Sequence, residues 1–282
     1  MLLKLIKLCR PKQWYKNALV FLALIFSGNL FNAKMFWLCV LGFLLLCCVS
    51  SANYAINDII DRERDVLNPE KRKRPIASGA VKPWHGLLLA AILYIIAFSG
   101  SFSLGYAFGL CFVALFGLTL AYSLWLKKEA FADIITIGIH FIIRAVSGAF
   151  LIGVAVSPWL IFGIFSLAMF LATAKRHSEA VLLGSVFGHR QVLKSYPKEI
   201  TSVLMVIATT IFVLSYLLYA FLGKHPKLFI SLPFVLYTIL RYFYLAYSGS
   251  VIARHPERAL SETRLAFGAA LSGVVILLAL YV

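Results

Sequence analysis

Long apolar runs, separated by short polar segments, make up most of this sequence. A helix that crosses a bilayer needs about 20 predominantly apolar residues, and nine runs approach that length. The pattern therefore predicts an all-α polytopic membrane protein with about nine transmembrane helices. The predicted spans are approximately 15–31, 35–57, 84–102, 104–126, 131–151, 157–174, 200–222, 227–247 and 264–282.

The polar segments between the runs are too short to fold as soluble domains, which indicates a single transmembrane domain over 1–282. Residues 1–14 alternate Lys4 and Lys7 with apolar residues and then reach Pro11. This pattern predicts a short amphipathic helix at the membrane interface rather than a cleaved secretory signal. The longer connections are predicted at about 58–83, 127–130, 175–199 and 248–263.

The distribution of basic residues predicts the orientation. The chain is 62% hydrophobic and 13% charged, with a mean hydropathy of +0.91 and a net charge of +16. Lys and Arg concentrate before the first span and in every second connection, whereas the opposite connections contain only Lys34, Lys224 and Lys227. The positive-inside rule therefore predicts a multi-pass protein of the inner (plasma) membrane with a cytoplasmic N-terminus. Such a surface suits anionic lipids or phosphorylated substrates, and nucleic acid is not needed to explain it.

An acidic motif follows the second run. Asn57, Asp58, Asp61 and Asp65 form N-D-x-x-D-x-x-x-D, and on a continuous helix the three carboxylates share one face. Carboxylates close to hydrocarbon are costly unless a cation accompanies them. Mg²⁺ prefers oxygen ligands and typically uses one or two carboxylates together with substrate phosphates. The motif therefore predicts a magnesium–diphosphate site, and the alternative is a solvated segment with salt bridges inside the helix.

A basic run, KRKRP from Lys71 to Pro75, comes next. Guanidinium and ammonium groups both bind phosphate, so Arg72 and Arg74 are predicted phosphate ligands. The alternative is that this run only determines the membrane topology.

A stripe of polar residues lies in the fifth span. Asp133, Thr136, His140, Arg144 and Ser147 recur at helical spacing and share one face. An arginine well inside a span is expensive, so it marks a functional or paired site. A structural salt bridge from Arg144 to another helix stays open as an alternative.

Other polar residues stand at the predicted cytoplasmic ends of spans. We expect them to line one cavity that faces the cytoplasm, within the helix bundle. The candidates are Lys16 and Asn17 in RPKQWYKN, Tyr122 and Lys127 at the end of the fourth span, and Lys175, Arg176 and Glu179 at the end of the sixth.

These motifs together resemble the UbiA-type superfamily of intramembrane prenyltransferases, over nearly the whole chain. Within it they look like the branch of decaprenyl-phosphate phosphoribosyltransferases. The matching stretches are RPKQWYKN (10–17), NDIIDRERDVLNPEKRKRPIASG (57–79), YSLWLKK (122–128), Asp133, IRAVSG (143–148), AKRHSE (174–179) and, less closely, HPERALSE (255–262). Ordinary prenyltransferases of the superfamily have a second Asp-rich motif, whereas this chain has KRHSE there, which favours a phosphate-binding site.

The resemblance implies transfer of 5-phosphoribose from phosphoribosyl pyrophosphate (PRPP) to a polyprenyl phosphate, with Mg²⁺ as cofactor and pyrophosphate as the second product. Asp58, Asp61 and Asp65 would hold Mg²⁺ and the leaving pyrophosphate, and Glu179 would orient Lys175 or contact a ribose hydroxyl. Asn57 and Tyr122 are further substrate-binding candidates. The donor phosphates would contact Lys16, Asn17, Arg72, Arg74 and Lys127, and the 5-phosphate or lipid phosphate would contact Lys175, Arg176 and Arg144.

Two rival functions remain at this point. A prenyltransferase would move a polyprenyl group from its diphosphate to an aromatic acceptor. A non-catalytic lipid carrier or flippase would keep the apolar groove but would not need clustered aspartates. The expected partners are PRPP, a polyprenyl phosphate lipid and the bilayer, with no nucleic acid, and homo-oligomer formation stays open.

Overall fold

The computed structural model describes residues 2–69, 71–183, 196–223 and 225–282, and these residues form helices and turns without any β-strand. The predicted all-α class is therefore confirmed for the described part of the chain. The α-helices are α1 (Leu2–Cys9), α2 (Phe21–Phe26), α3 (Ala33–Ile60), α4 (Arg62–Leu67), α5 (Pro83–Leu104), α6 (Tyr106–Leu124), α7 (Ala132–Ile152), α8 (Pro158–Leu183), α9 (Lys198–Leu222), α10 (Leu232–Tyr247), α11 (Val251–Arg254) and α12 (Thr263–Tyr281). Short 3₁₀ helices lie at Pro11–Val20, Lys71–Lys73, Leu126–Lys128, Pro226–Ser231 and Pro256–Ser261.

Eight helical segments in the described ranges are long and apolar enough to cross a membrane. They coincide with eight of the nine predicted spans, so the chain is a multi-pass membrane protein. The segments are α3, α5, α6, α7, α8, α9, Pro226–Tyr247 and α12.

The first predicted span, 15–31, is wrong as a single helix. The chain there forms the 3₁₀ helix Pro11–Val20 followed directly by the short helix α2, and it turns at Gly28, where φ is 76°. Polar residues such as Lys16 and Asn17 interrupt the apolar run at its start. Gly28 ends it, because a left-handed φ suits glycine and breaks a helix.

The described chain folds into two compact units. The first contains Met1–Leu24, Asn29–Trp125 and Ile143–Val154, and the second contains Ile25–Gly28, Leu126–Ile142 and Ala155–Val282. The helix α7 contributes residues to both. A single domain over 1–282, and a cavity that faces the cytoplasm, stay predictions.

In the first unit, α3 packs against α1, α5 and α6. Leu8 of α1 is fully buried with Ala52 and Ala55 of α3, whereas Leu3 is 81% exposed. The sequence therefore predicted the N-terminal helix correctly, and its position at a membrane interface stays a prediction.

The length of α3 explains where the acidic motif begins. At 1.5 Å per residue, its 28 residues extend about 42 Å, which exceeds the roughly 30 Å hydrocarbon core. Asn32 caps its start, where the side chain accepts a hydrogen bond from the Met35 N–H at 3.2 Å. Asn57 and Asp58 lie in the last turn. The excess length allows these polar residues to lie beyond the most apolar part of the span.

The 3₁₀ helix Pro11–Val20 lies directly against α7. A Cβ at Gly148 would overlap the Val20 carbonyl oxygen. Glycine at this position therefore permits a backbone approach that any side chain would block. This contact fixes the segment that carries Lys16 and Asn17.

In the second unit, α8 packs along α9, and α10 packs against α12. Phe170, Met205, Val235 and Ile239 contribute to its buried core. The predicted loop 175–199 begins too early, because α8 continues to Leu183. Lys175, Arg176 and Glu179 therefore lie on a helix, and residues 184–195 of that predicted loop lie outside the described ranges.

Candidate active site

Two buried carboxylates of the first unit share one arginine. Asp58 in α3 and Asp65 in α4 are 1% and 2% exposed. The Nη1 of Arg74 donates to Asp58 Oδ1 at 3.2 Å and to Asp65 Oδ2 at 2.5 Å. The Nζ of Lys71 lies 3.8 Å from Asp65 Oδ1. The basic run thus folds back onto the acidic motif, and Arg74 bridges two of its carboxylates.

Asp61 lies at a break in the helix that the sequence predicted to be continuous. α3 ends one residue before it and α4 begins one residue after it, with φ −89° and ψ 4° at Asp61 itself. Its backbone joins the two helices, because its N–H donates to the Asn57 carbonyl at 2.9 Å and its own carbonyl accepts from the Asp65 N–H at 2.8 Å. The prediction that Asp58, Asp61 and Asp65 share one face of an unbroken helix is therefore wrong.

No group of three His, Cys, Asp or Glu side chains within the described ranges is arranged to hold a metal ion. Asp58 nevertheless has an oxygen that suits a cation. Its Oδ2 is buried and has no hydrogen-bond partner among the described residues. A buried oxygen without a partner is costly. Because Mg²⁺ commonly takes one or two protein carboxylates and completes its shell with phosphate and water oxygens, Asp58 and Asp65 fit this ion, with Asp61 between them in the chain.

Arg10 is a site residue that the sequence reasoning missed. Its guanidinium forms a hydrogen bond and an ion pair with Asp58 Oδ1, and lies over the Tyr54 ring with 4.9 Å to the centroid. Burial lowers the pKa of Arg10, and the adjacent Asp58 carboxylate opposes that shift. The residue opens the motif RPKQWYKN, but its partner is 48 residues away, so local spacing gave no signal of the pair.

The amide side chains of α3 are held by neighbouring helices. Asn53 accepts from the Tyr94 hydroxyl at 2.7 Å and donates to Thr119 Oγ1 at 3.0 Å. Asn57 Oδ1 accepts from Ser123 Oγ at 3.0 Å. These two amides of α3 are therefore satisfied by α5 and α6, and this fixes the orientation of the predicted substrate ligand Asn57.

Asn17 and Arg144 lie together in one buried network. Arg144 Nε donates to Asn17 Oδ1 at 3.0 Å, and Ser50 Oγ donates to the same oxygen at 3.1 Å. The Asn17 amide in turn donates to Cys47 Sγ at 3.3 Å. Both residues were predicted to bind substrate. These contacts join the 3₁₀ helix Pro11–Val20 to α3 and α7, and substrate binding by Asn17 and Arg144 stays a prediction.

Three other predicted ligands of the first unit lie closer to its surface. Arg72 is exposed, unlike Arg74. Lys16 is half-buried, with its Nζ 5.9 Å from the centroid of the Tyr15 ring. Tyr122 is half-buried at the end of α6. Substrate binding by these side chains stays a prediction.

The second unit contains a different charge cluster, centred on Arg176. Its Nε and Nη2 each lie 3.0 Å from Asp133 Oδ2, and its Nη1 lies 3.2 Å from Glu179 Oε2. The Tyr196 hydroxyl donates to Asp133 Oδ1 at 2.5 Å and accepts from the Phe131 N–H at 2.5 Å. Burial and this hydrogen bond to Asp133 raise the pKa of Tyr196. Both oxygens of Asp133 are thus satisfied.

This cluster changes the predicted roles of its members. Arg176, predicted to bind phosphate, is buried and engaged by two carboxylates. Glu179, predicted to orient Lys175 or contact ribose, pairs with Arg176. Lys175 and Lys127 are half-buried and belong to the same unit. Phosphate binding by Lys175 stays a prediction.

Two named proteins are similar in sequence to this chain along most of its length. A decaprenyl-phosphate phosphoribosyltransferase of Mycolicibacterium smegmatis is 32% identical over 222 residues, which cover 77% of this chain and 70% of the relative. A decaprenyl-phosphate phosphoribosyltransferase of Corynebacterium glutamicum is 34% identical over 251 residues, or 84% of this chain and 75% of the relative.

A solved structure has the same fold. It is a UbiA homolog from Archaeoglobus fulgidus bound to DMAPP and Mg²⁺, with a TM-score of 0.72 over 96% of this chain and 99% of that chain. At 18% identity, this likeness speaks for the fold alone. The model of the UbiA prenyltransferase family matches residues 18–260. With most of its length covered by that match, the chain belongs to the UbiA prenyltransferase family.

Proposed function

We propose that this protein transfers 5-phosphoribose from PRPP to a polyprenyl phosphate and releases pyrophosphate, with Mg²⁺ as cofactor. The observation that carries the proposal is the similarity to two phosphoribosyltransferases over at least 77% of this chain.

The charge cluster of the second unit supports the same donor. Prenyltransferases of this superfamily have a second Asp-rich motif, as the resemblance implies. Here the acids of that region, Asp133 and Glu179, are both paired with Arg176. Because Arg176 contacts both carboxylates and Tyr196 also bonds to Asp133, few of their oxygens remain for a second metal ion. Lys175 beside it offers a cation for a phosphate group instead.

The residues of the first unit suit the leaving diphosphate. When bound, Mg²⁺ would neutralise charge that develops on the leaving pyrophosphate. Asp58, Asp61 and Asp65 are its proposed ligands. Arg74 and Lys71 lie against two of those carboxylates and would provide hydrogen bonds to diphosphate oxygens. Lys16 and Arg72 are further proposed contacts to the donor.

The nucleophile needs little activation. A polyprenyl phosphate is ionised near pH 7, so its oxygen can attack C1 of the ribose without a general base. The new C1–O bond forms as the bond from C1 to the diphosphate breaks. The residues of this chain act mainly by holding two anions that would otherwise repel each other. Lys175 is the proposed ligand of the ribose 5-phosphate or of the lipid phosphate.

The orientation is part of the proposal. The basic residues before α2 and in alternate connections favour a cytoplasmic N-terminus in the inner (plasma) membrane. PRPP is a charged, water-soluble donor, and a site that opens to the cytoplasm would receive it without transport.

A prenyltransferase is the second candidate. The description of the family favours it. A two-donor assay separates the two functions. The purified protein receives Mg²⁺ with either ribose-labelled PRPP and polyprenyl phosphate, or a labelled prenyl diphosphate and 4-hydroxybenzoate. We expect label in the lipid phase with PRPP and none after addition of EDTA. A prenylated aromatic product, with no transfer from PRPP, would establish the second candidate instead.

A further inference from the structure

The backbone of Arg10 has an unusual conformation. Arg10 separates α1 from the 3₁₀ helix Pro11–Val20, with φ 50° and ψ 60°. A left-handed conformation costs free energy for any residue with a side chain, and it persists where surrounding contacts determine it. Here the contacts are those of the guanidinium with Asp58 and Tyr54. The strained link aims a cation at a buried carboxylate.

The two sides of this ion pair differ in solvent exposure. The Asp58 side chain is 1% exposed, whereas that of Arg10 is 24% exposed. The carboxylate is fixed at the end of a long helix, and the arginine reaches it from a partly solvated position. Solvent, and with it another anion, can therefore reach Arg10, and an Asp58 that loses Arg10 would need another cation.

The metal-free cluster is already rich in positive charge. Arg10, Arg74 and Lys71 all lie within ion-pair distance of Asp58 or Asp65. Three cations facing two carboxylates leave no excess negative charge to attract a free divalent ion. Arg10 and Arg74 both contact Oδ1 of Asp58, so a metal ion on Oδ2 of the same carboxylate would meet their positive charge.

We infer that Arg10 is a resident competitor for Asp58, and that it releases this carboxylate to the metal when a diphosphate gives its guanidinium another anionic partner. The inference rests on the proposed magnesium–diphosphate site and makes Arg10 a positioning residue. Either candidate donor carries a diphosphate, so the exchange does not depend on PRPP.

The exchange predicts opposite effects of one substitution in two states. Without diphosphate, removing the guanidinium also removes a competitor, so the metal should bind more tightly. With diphosphate, the same change removes a cation that would contact the phosphates, so the anion should bind more weakly. A residue that only binds phosphate, or only supports the fold, does not produce this reversal of sign.

Mn²⁺ titration followed by electron paramagnetic resonance tests the inference on the full chain in detergent. We expect Arg10→Gln to bind Mn²⁺ about tenfold more tightly than the natural protein without pyrophosphate. With Mn²⁺ at saturation, we expect its affinity for pyrophosphate to fall about tenfold. Arg64→Ala is the matched control, because it removes an exposed positive charge from α4. We expect it to change neither affinity by more than about twofold.

Arg10→Gln retains a hydrogen-bond donor for Asp58, and circular dichroism and size-exclusion profiles check that it folds. Arg10→Lys is a second test, because it keeps the positive charge. Its Mn²⁺ affinity should therefore stay close to that of the natural protein. Unchanged or weaker Mn²⁺ binding in folded Arg10→Gln would overturn the inference. Failure of PRPP transfer would overturn the proposed function alone, because these titrations use neither PRPP nor lipid.

Discussion

Both units bury carboxylates against arginine, but they satisfy those carboxylates differently. In the second unit, one oxygen of Asp133 accepts a hydrogen bond from Tyr196 and the other accepts one from Arg176. In the first unit, Asp58 Oδ1 accepts hydrogen bonds from Arg10 and Arg74. The buried Oδ2 of Asp58 has no hydrogen-bond partner in the described ranges. A fully satisfied network gives rigidity, whereas an incomplete one suits a ligand. The comparison therefore favours the first cluster as the proposed metal site and the second as a support.

Loss of a first-unit carboxylate should have the largest effect on activity. We expect Asp61→Asn and Asp65→Asn each to lower the transfer rate at least about 1000-fold, or about 4 kcal/mol, because each removes a proposed ligand of the metal–diphosphate complex. Initial rates with PRPP and polyprenyl phosphate measure this. A folded Asp61→Asn protein that retains a tenth of the activity would contradict the metal assignment.

Loss of Arg176 should affect stability most. Arg176→Ala leaves Asp133 buried with one partner fewer, which should cost about 3–5 kcal/mol of unfolding free energy. Denaturant unfolding in detergent measures it. The double variant Asp133→Asn/Arg176→Ala is the matched control and should recover part of the loss. If Arg176→Ala keeps full stability but loses activity, the comparison between the two clusters fails.

Lys175 should affect activity while stability stays unchanged. We expect Lys175→Ala to lower kcat/KM about 100-fold, or about 2.7 kcal/mol, because it removes a proposed ionic contact to phosphate. Lys128→Ala, an exposed lysine of the same unit, is the control and should stay close to the natural protein. Equal effects of the two substitutions would show general electrostatics rather than a specific contact.

Ser123 should have the smallest effect. Its hydroxyl orients Asn57, so Ser123→Ala should cost about 1 kcal/mol, equivalent to roughly fivefold in kcat/KM. A matched comparison is Ser99→Ala, since Ser99 bonds only to carbonyls of its own helix among the described contacts. No difference between these variants would mean that the orientation of Asn57 is not limiting.

The sequence predicted the fold correctly where the apolar runs were continuous. Eight long apolar runs became helices, because a run of that length has few other stable arrangements in a bilayer. The prediction of one helix over 15–31 was wrong because Lys16 and Asn17 interrupt the apolar run and Gly28 ends it. α8 extends past its predicted end because alanines and charged side chains continue a helix well, although hydropathy alone ends the span at 174.

The candidate site was predictable only in its local part. The acidic motif and the basic run after it stand close in sequence, and the structure brings Asp58, Asp65 and Arg74 together. The pair of Arg144 with Asn17 joins residues 127 apart, and that of Arg176 with Asp133 joins residues 43 apart. Such pairs depend on how the helices pack against one another, and the spacing of residues along one helix does not determine that packing.

PRPP labelled separately in its 5-phosphate and in its diphosphate provides the most direct test of the proposed reaction. The purified protein, Mg²⁺ and polyprenyl phosphate are incubated with each form, and the lipid and water phases are counted. We predict that the 5-phosphate label enters the lipid phase and the diphosphate label stays in water as pyrophosphate, with both changes absent in Asp61→Asn. A 5-phosphate label that remains in water, while a prenyl diphosphate is consumed in parallel, would contradict phosphoribosyl transfer.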